Sequence, residues 1–547
     1  MPVLLNALGK LPGAFSFLPL AAVLALAMLV AGCRPEPPAD LTVINGPDPG
    51  SLDPLLVTGI EELRAVLPLF EGLTRPDPAT GRALPGLAER WEISPDGRHY
   101  TFHLRTNAAW STGGPITSAD LVYSWRRILE PTNACQYVNL MYPLHGAEAY
   151  AAGQLKDFAQ VGVRAPDAHT VEATLDNPCP WFLDLCAFQT LSVVPRAAIE
   201  RDGDQWIMRH PPFSGAYELE YWRISDRVRL RRNERYWDAA NTRSRIVDLL
   251  VMSSPATALN LYEDHQVDVI LDKPLVPTEL LPVLAKTPDY HTFPMLGSYF
   301  VRINVTRPPL NDPRVRRALA LTVDKPRLTQ RIAPTCEPAD HIVPGATANY
   351  LRGEGQHRDP ELARRLLAEA GFPGGKGFPK LSYLADSSGG GGGRMNERVA
   401  VELQDTWRRE LGIEIEIRSL EKKVAIVAQR TLDYDLSRSS WIGDYNDPST
   451  FLDLFTKANG NNRTGWSHPE YERLMRKAAG EADLGKRALM LRDAETLLVR
   501  DEAPIIPLWF ESGFTLNSPT RVEGMFGNVL DVHPLNAIRR IPSPATK

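Results

Sequence analysis

The chain lacks the features that most often mark a catalyst or a nucleic-acid binder. Among its 547 residues there is no Gly-x-Ser-x-Gly elbow, no His-Glu-x-x-His pair and no Gly-x-x-x-x-Gly-Lys-Ser/Thr loop. The motif-bearing hydrolase, metalloprotease and nucleotide sites are therefore not written in it. Charge of one sign is missing as well. Sixty-one Lys and Arg face 66 Asp and Glu, a net charge of −5 with the signs interspersed, which excludes a basic footprint for nucleic acid. Cysteine is scarce, five in all with none in Cys-x-x-Cys spacing. Cys135, Cys179, Cys186 and Cys336 allow three pairings, with Cys179 and Cys186 near enough to close a small loop, or they stay as buried thiols. His99 and His103 share one face of a strand, but two ligands hold no zinc. No metal, no cofactor and no catalytic residue is expected.

Long apolar runs are absent after residue 33, and the one before it is informative. Lys10 precedes an apolar stretch from Leu11 to Val30 that ends in Val30-Ala31-Gly32-Cys33. A charged start, an apolar core and small residues before a cleavage point describe an export signal over residues 1–32. Pro12 and Gly13 shorten the stretch relative to a permanent membrane span. Leu29-Val30-Ala31-Gly32-Cys33 resembles a bacterial lipobox, which implies a lipid on Cys33. Residues 33–37 then form a proline-rich tether, and the protein sits in the periplasm or at the cell surface, anchored by lipid.

What remains is long enough for two or three packed units. Forty-seven prolines, about twice ordinary usage, point to many fixed turns rather than a helical bundle. Strands are expected at Leu41–Asn45, Arg98–Arg105, Arg227–Arg232, Ile413–Ile417 and Pro504–Phe510, the second with Tyr100, Phe102 and Leu104 on one face. Helices are expected from the Thr117/Asp120 capping box through Ile128, and over Pro313–Thr322, Pro360–Ala370, Glu397–Glu410, Glu470–Ala479 and Leu484–Arg500. The glycine run Gly389–Gly393 reads as a flexible strand-to-helix loop, because Arg394-Met395 follows where a phosphate loop needs Lys-Ser/Thr.

Several blocks fall in one order. They are Ser51-Leu-Asp-Pro54, Leu69-Phe-Glu-Gly-Leu-Thr74, Pro85-Gly-Leu-Ala-Glu-Arg-Trp91 and Tyr100-Thr-Phe-His-Leu-Arg105. Trp110 to Asp120, Tyr123-Ser-Trp-Arg126, Asn233-Glu-Arg-Tyr-Trp237, Pro309 to Leu319 and Trp441-Ile-Gly-Asp-Tyr-Asn-Asp-Pro-Ser-Thr-Phe451 follow. Over residues 41–535 this resembles the solute-binding proteins of bacterial peptide importers, family 5. The resemblance implies an α/β fold, a two-lobed periplasmic-binding-protein clamshell of type II, cluster C-like, hinged on crossing strands. Lobe I is expected over 38–77, 195–292 and 510–547, with a subdomain inserted at 78–194, and lobe II over 293–509.

The resemblance also implies a function: a monomeric receptor, not an enzyme, that takes a peptide between its lobes and passes it to the permease and ATPase subunits of an importer. The same fold carrying a nickel complex, haem or sugar is the alternative, with a periplasmic hydrolase behind it. Most matched residues read as structural: Asp53-Pro54 as a turn, Trp91, Trp110 and Trp125 as core, Asp447-Pro448 as a helix start. Asp444 differs, because in the family an aspartate at this place pairs with the ligand's α-amino group. Arg438 matches an arginine that meets a ligand carboxylate. Gly59 and Ile60 match a loop laid along the ligand, and Trp441, Tyr445 and Asn446 complete the segment expected to offer it main-chain groups. Arg302 departs from the pattern, as do Ser419–Lys423 and the glycine run, and these bear on peptide length and side chains.

Overall fold

The computed structural model describes residues 36–386 and 391–542. The expected signal segment 1–32, Cys33 and most of the tether lie outside the described residues. A first compact unit ends at Ala39, and the second runs from Asp40 to the C-terminus.

The second unit is organised by one long mixed sheet. Its strands, in chain order, are β1 (Leu41–Gly46), β2 (Tyr217–Arg223), β3 (Arg227–Arg232), β4 (Ile246–Val251), β5 (Val269–Ile270), β6 (Tyr290–Ile303), β7 (Leu381–Asp386), β8 (Ile415–Leu420), β9 (Leu436–Ile442) and β10 (Ile505–Asn517). The spatial order is β8-β7-β9-β6-β10-β5-β1-β4-β3-β2. β1 lies parallel to β4 and β5, and β7 lies parallel to β8 and β9. Each end of the sheet is thus an α/β half with its own parallel core. β1 shows what this demands of sequence: five of its six residues are buried, an apolar run rather than an alternation, because both faces are covered.

β6 and β10 join the two halves. They pair antiparallel from Tyr290–Leu516 to Arg302–Ile505, and the register slips between Pro294 and Ser298. Such a bulge bends its strand and re-aims side chains. Gly297 fits there because a Cβ would stand 2.8 Å from Glu511 Cβ and 2.7 Å from Ile442 Cδ1. These two strands are the hinge of a two-lobed clamshell, as expected.

A separate four-stranded sheet, Ala88–Ile93, His99–Leu104, Thr170–Thr174 and Val163–Asp167, makes a third layer on the first half. Tyr100, Phe102 and Leu104 point into its core with Trp125 and Phe182. The helix Ser118–Leu129 opens on the expected capping box, with Asp120 Oδ2 accepting from Thr117 N–H at 2.8 Å. Trp110 and Trp125 are buried and Trp91 is half-buried.

Several boundaries moved. The helix expected to start at Glu397 runs over Gly391–Leu411. Its first turn takes in Gly391–Gly393, while Gly389 and Gly390 lie outside the described residues. Glycine disfavours a helix by about 1 kcal/mol per residue, but burial of Val399, Ala400, Leu403 and Trp407 carries this one. The next strand is shifted to Ile415–Leu420, and Ile413 is buried just before it. The helix from Leu484 ends at Thr496 and passes into a π turn over Leu497–Glu502. All four described cysteines are free thiols.

Candidate functional site

A cavity of about 480 Å³ lies where the two halves and the four-stranded subdomain meet. The first half contributes Ile60, Arg64, Lys273 and the 530–532 segment, the subdomain Tyr137 and Phe188, and the second half Met295, Ile442, Asp444 and Tyr445. Ile60 and Ile442 are 41% and 49% exposed, unusual for isoleucine and consistent with apolar walls awaiting a partner. A larger cavity of about 580 Å³ sits within the first half. Its Glu71 is bound by Tyr236 and by Trp237 Nε1 at 2.6 Å, and its Arg75 by Asp238 at 2.8 Å, so its principal ionic groups are already occupied.

Local sequence explains how the first wall is held. The helix α1 (Ile60–Val66) starts at Gly59, and Glu62 in its first turn takes Gly59 N–H at 2.9 Å, Thr58 N–H at 2.8 Å and Gly50 N–H at 2.8 Å. One carboxylate thereby pins the whole 50–59 loop to the helix. Ile60 reaches the cavity; Gly59 lies at its margin, between Thr58 and Ile60, which both line it.

Asp444 follows β9. Its N–H donates to Thr450 Oγ1 at 3.1 Å, which holds the turn. Its carboxylate has no hydrogen bond and no ion pair among the described residues, and burial alone pushes it up to about 6. A half-buried acid with no counter-charge, aimed into a cavity, is what a cationic ligand group would complete. Tyr445 beside it stacks on Trp181 at 4.8 Å and meets Ser449 Oγ at 3.2 Å.

The other expected residues are placed differently. Arg438 is absent from the cavity wall. Its Nη1 binds Asp386 Oδ2 at 3.0 Å, its Nε binds Asn396 Oδ1 at 3.1 Å, and it covers the Tyr299 ring at 5.1 Å. Asn446 is buried, and its Oδ1 accepts from Ala348 N–H at 2.8 Å, a loop clamp. Trp441 pairs with Ser298 in the sheet and packs on the Phe451 core, its indole N–H unpartnered. Main-chain groups near Asp444 are partly used: Gly443 N–H goes to Leu296 O at 2.7 Å. Beyond Ser437, however, no described strand pairs the edge of β9 that faces away from β6.

Sequence reasoning missed Arg64, Lys273 and Asp531. Lys273 Nζ lies 3.0 Å from Asp531, and Arg64 Nη2 lies 3.5 Å from the same carboxylate. The only available signal was an arginine in the last turn of a short helix next to the matched loop. Arg302, the odd residue in its strand, is 3% exposed and bonds Ser439 Oγ and Asn461 O without a carboxylate; burial lowers it to about 10.

Two α/β halves on shared hinge strands, with a walled cavity between them and the carboxylate of Asp444 on its wall, define a solute-binding clamshell. The profile of bacterial extracellular solute-binding proteins, family 5 (middle region), matches residues 82–463. The oligopeptide-binding protein OppA of Salmonella typhimurium is 33% identical over 87% of this chain and 88% of its own length. The probable deoxycholate-binding periplasmic protein YgiS of Escherichia coli is 32% identical over 87% of this chain and 90% of its own. The crystal structure of the oligopeptide-binding protein OppAIV of Borrelia burgdorferi superposes with a TM-score of 0.77 at 31% identity, covering 92% of this chain and 99% of that one. The chain belongs to family 5 of the bacterial extracellular solute-binding proteins.

Proposed function

We propose that this protein is the extracytoplasmic peptide receptor of an ATP-driven importer. It closes on a peptide between its lobes and presents it to the permease, and no nucleotide site belongs on this chain. The observation that carries the reading is the Asp444 carboxylate, buried beside the cavity without a cation. A peptide's α-ammonium supplies that charge, and charge-assisted bonds in a water-poor cleft are strong. The free edge of β9 gives the backbone of an extended ligand something to pair with, independent of its side chains. Two of the relatives, OppA of Salmonella typhimurium and OppAIV of Borrelia burgdorferi, are oligopeptide-binding proteins, which agrees with this reading. Tyr445 and Ile60 then border the ligand, Trp441 and Asn446 support the segment, and Arg438 props the sheet.

The lobes follow the boundaries read from the sequence, with Met295 to Gly297 at the crossing into lobe II. A lipid on Cys33, after removal of residues 1–32, keeps the receptor at the membrane as a monomer.

A second reading comes from the name of YgiS. A bile acid carries a carboxylate and no cation, so it leaves Asp444 unmatched. Calorimetry separates the two readings with free and N-acetylated peptide against wild type and Asp444→Asn. Acetylation should weaken wild-type binding by roughly thirtyfold to several-thousandfold, the range for unpairing a buried charge. It should cost little more in the mutant, the non-additivity of a direct contact. Equal binding of acetylated and free peptide to wild type, or tight binding of deoxycholate alone, rejects the peptide reading.

A further inference from the structure

The cavity of about 580 Å³ in the first half is larger than the one between the lobes, and its walls are firmly built. Gly524, at φ +82°, lets the 523–537 segment close on itself, since a Cβ there would stand 1.9 Å from Ala537 O. Asn528 Nδ2 ties that segment across to Pro78 O at 3.1 Å, and Arg243 N–H donates to Asn536 O at 3.0 Å. The apolar lining includes Leu67, Phe70, Leu84, Leu535 and Phe526, whose ring is left 48% exposed. Donors and acceptors around this chamber do not balance. Glu71 accepts from Tyr236 O–H with one oxygen and from Trp237 Nε1–H at 2.6 Å with the other. Asp238 accepts from Arg75 Nη1 at 2.8 Å and from Asn241 Nδ2 at 2.6 Å, and Glu523 is ion-paired with Arg539. The acids are thus filled, but the cations are not. Arg75 bonds Asp238 through Nη1 alone, and its Nε is covered and unpartnered. Arg243 is exposed, and its side chain has neither hydrogen bond nor ion pair among the described residues.

We propose that this cavity is a second binding site, for an amphipathic monocarboxylate whose apolar body fills the chamber and whose carboxylate is taken by Arg243 with Arg75. The short segment 238–243 carries Arg243 and also Asp238, the partner of Arg75, so both guanidiniums belong to one wall. A planar guanidinium offers paired N–H groups that match a carboxylate. A cationic or donor-rich ligand finds no free acid to meet it there. The apolar part of the ligand gains by leaving water, and the volume is in the range of small-molecule sites. Pro76 and Ala187 line both this cavity and the cleft, and so divide the two. The site goes beyond the peptide reading and does not rest on it.

The test is calorimetry on the full mature chain with decanoate, decanol and decyltrimethylammonium, each below its micelle concentration. Decanoate should saturate a single site and bind roughly tenfold or more tightly than decanol, the difference that a charged hydrogen-bond partner makes. The ammonium should not bind. Arg243→Gln should remove most of the preference for decanoate over decanol, and Arg243→Lys should keep part of it. Adding Arg75→Gln to Arg243→Gln should leave none. Phe526→Ala should weaken decanoate and decanol by the same factor, roughly several-fold. Ile442→Asp, which puts a negative charge into the cleft, should leave decanoate binding as it is. Equal binding of decanoate and decanol to wild type overturns the proposal, as does Arg243→Gln that preserves their ratio. Loss of decanoate binding in Ile442→Asp puts the amphiphile in the cleft and overturns it too. If Arg75→Gln does not fold, Arg243→Gln decides alone, because that side chain is exposed and bonds no described residue.

Discussion

Trp181 of the four-stranded subdomain stacks face to face on Tyr445 of the second lobe, with ring centroids 4.8 Å apart and planes 6° from parallel. Arg487 of the second lobe also covers this indole, at 4.9 Å, and is itself fixed by Asp447. Tyr445 packs on the subdomain core while its neighbour Asp444 faces the cavity. Subdomain and lobe are thus latched one residue from the Asp444 carboxylate.

The latch predicts that Trp181→Ala weakens peptide binding without abolishing it. An aromatic pair contributes about 0.5–1.5 kcal/mol beyond its buried area, which is roughly two- to tenfold in affinity. If the stack opens for the ligand to leave, the loss should appear in the dissociation rate. Stopped-flow release of a labelled peptide checks this; an unchanged release rate rejects the latch.

Asp444 predicts a pH dependence with a definite sign. Burial raises its carboxyl to about 6, above the unfolded value near 3.8. Between those values the native state holds the proton that the unfolded state has lost, so this group makes the empty protein less stable as pH rises through the window. Peptide binding has the opposite trend, because the ammonium needs the carboxylate. Affinity should fall as pH drops through about 6, while Asp444→Asn should show a flat profile and a ligand-free melting point higher by a few °C at pH 8. A melting point unchanged in the mutant would mean that the carboxylate has a partner.

Much of this was legible in the sequence where local rules decide. The Thr117/Asp120 box, the inward face of Tyr100, Phe102 and Leu104, and the helix start at Asp447-Pro448 all depend on residues within a few positions of each other. The internal partner of Arg438 was not legible because Asp386 is 52 positions away, on a strand that becomes its neighbour only through the parallel pairing of β7 with β9. Arg64 was missed for the same reason: its ion-pair partner Asp531 lies 467 positions away and comes near only in the packed fold. Asp53 stands between: its turn was read, its burial was not.

Asp53 predicts acid sensitivity. Burial opposes its charge, but the two-pronged bond from Arg127 at 2.8 and 2.6 Å, with Trp206 Nε1 at 2.8 Å, holds it below the ordinary value. Its contribution is present above the unfolded carboxyl value of about 3.9 and is lost as pH falls through the lower folded one. Asp53→Asn should cost about 3 kcal/mol at neutral pH, because the half-buried Arg127 is left without its carboxylate. Urea midpoints at pH 7 and pH 3 provide the check: the gap between wild type and mutant should narrow at the lower pH.

The last prediction separates the two aspartates of the matched motif. Asp447 is fully buried, and both of its oxygens accept from Arg487 at 2.8 Å, while Oδ1 also takes Ser449 N–H at 3.0 Å. With no surface exposed, it does not line the cavity. Arg487→Ala should therefore destabilise the fold by about 3–5 kcal/mol, the cost of stranding a buried charge. Asp447→Asn with Arg487→Met should lose much less, since an uncharged pair of similar bulk removes the stranded ion, and the two single changes should be strongly non-additive. Peptide affinity in the stable double mutant should fall less than in Asp444→Asn, which touches no structural bond of this kind. Urea unfolding and calorimetry on the same four proteins test both halves. Near-additive stabilities would show that Asp447 and Arg487 do not depend on each other. A double mutant that folds normally but fails to bind peptide would move the ligand contact from Asp444 to Asp447.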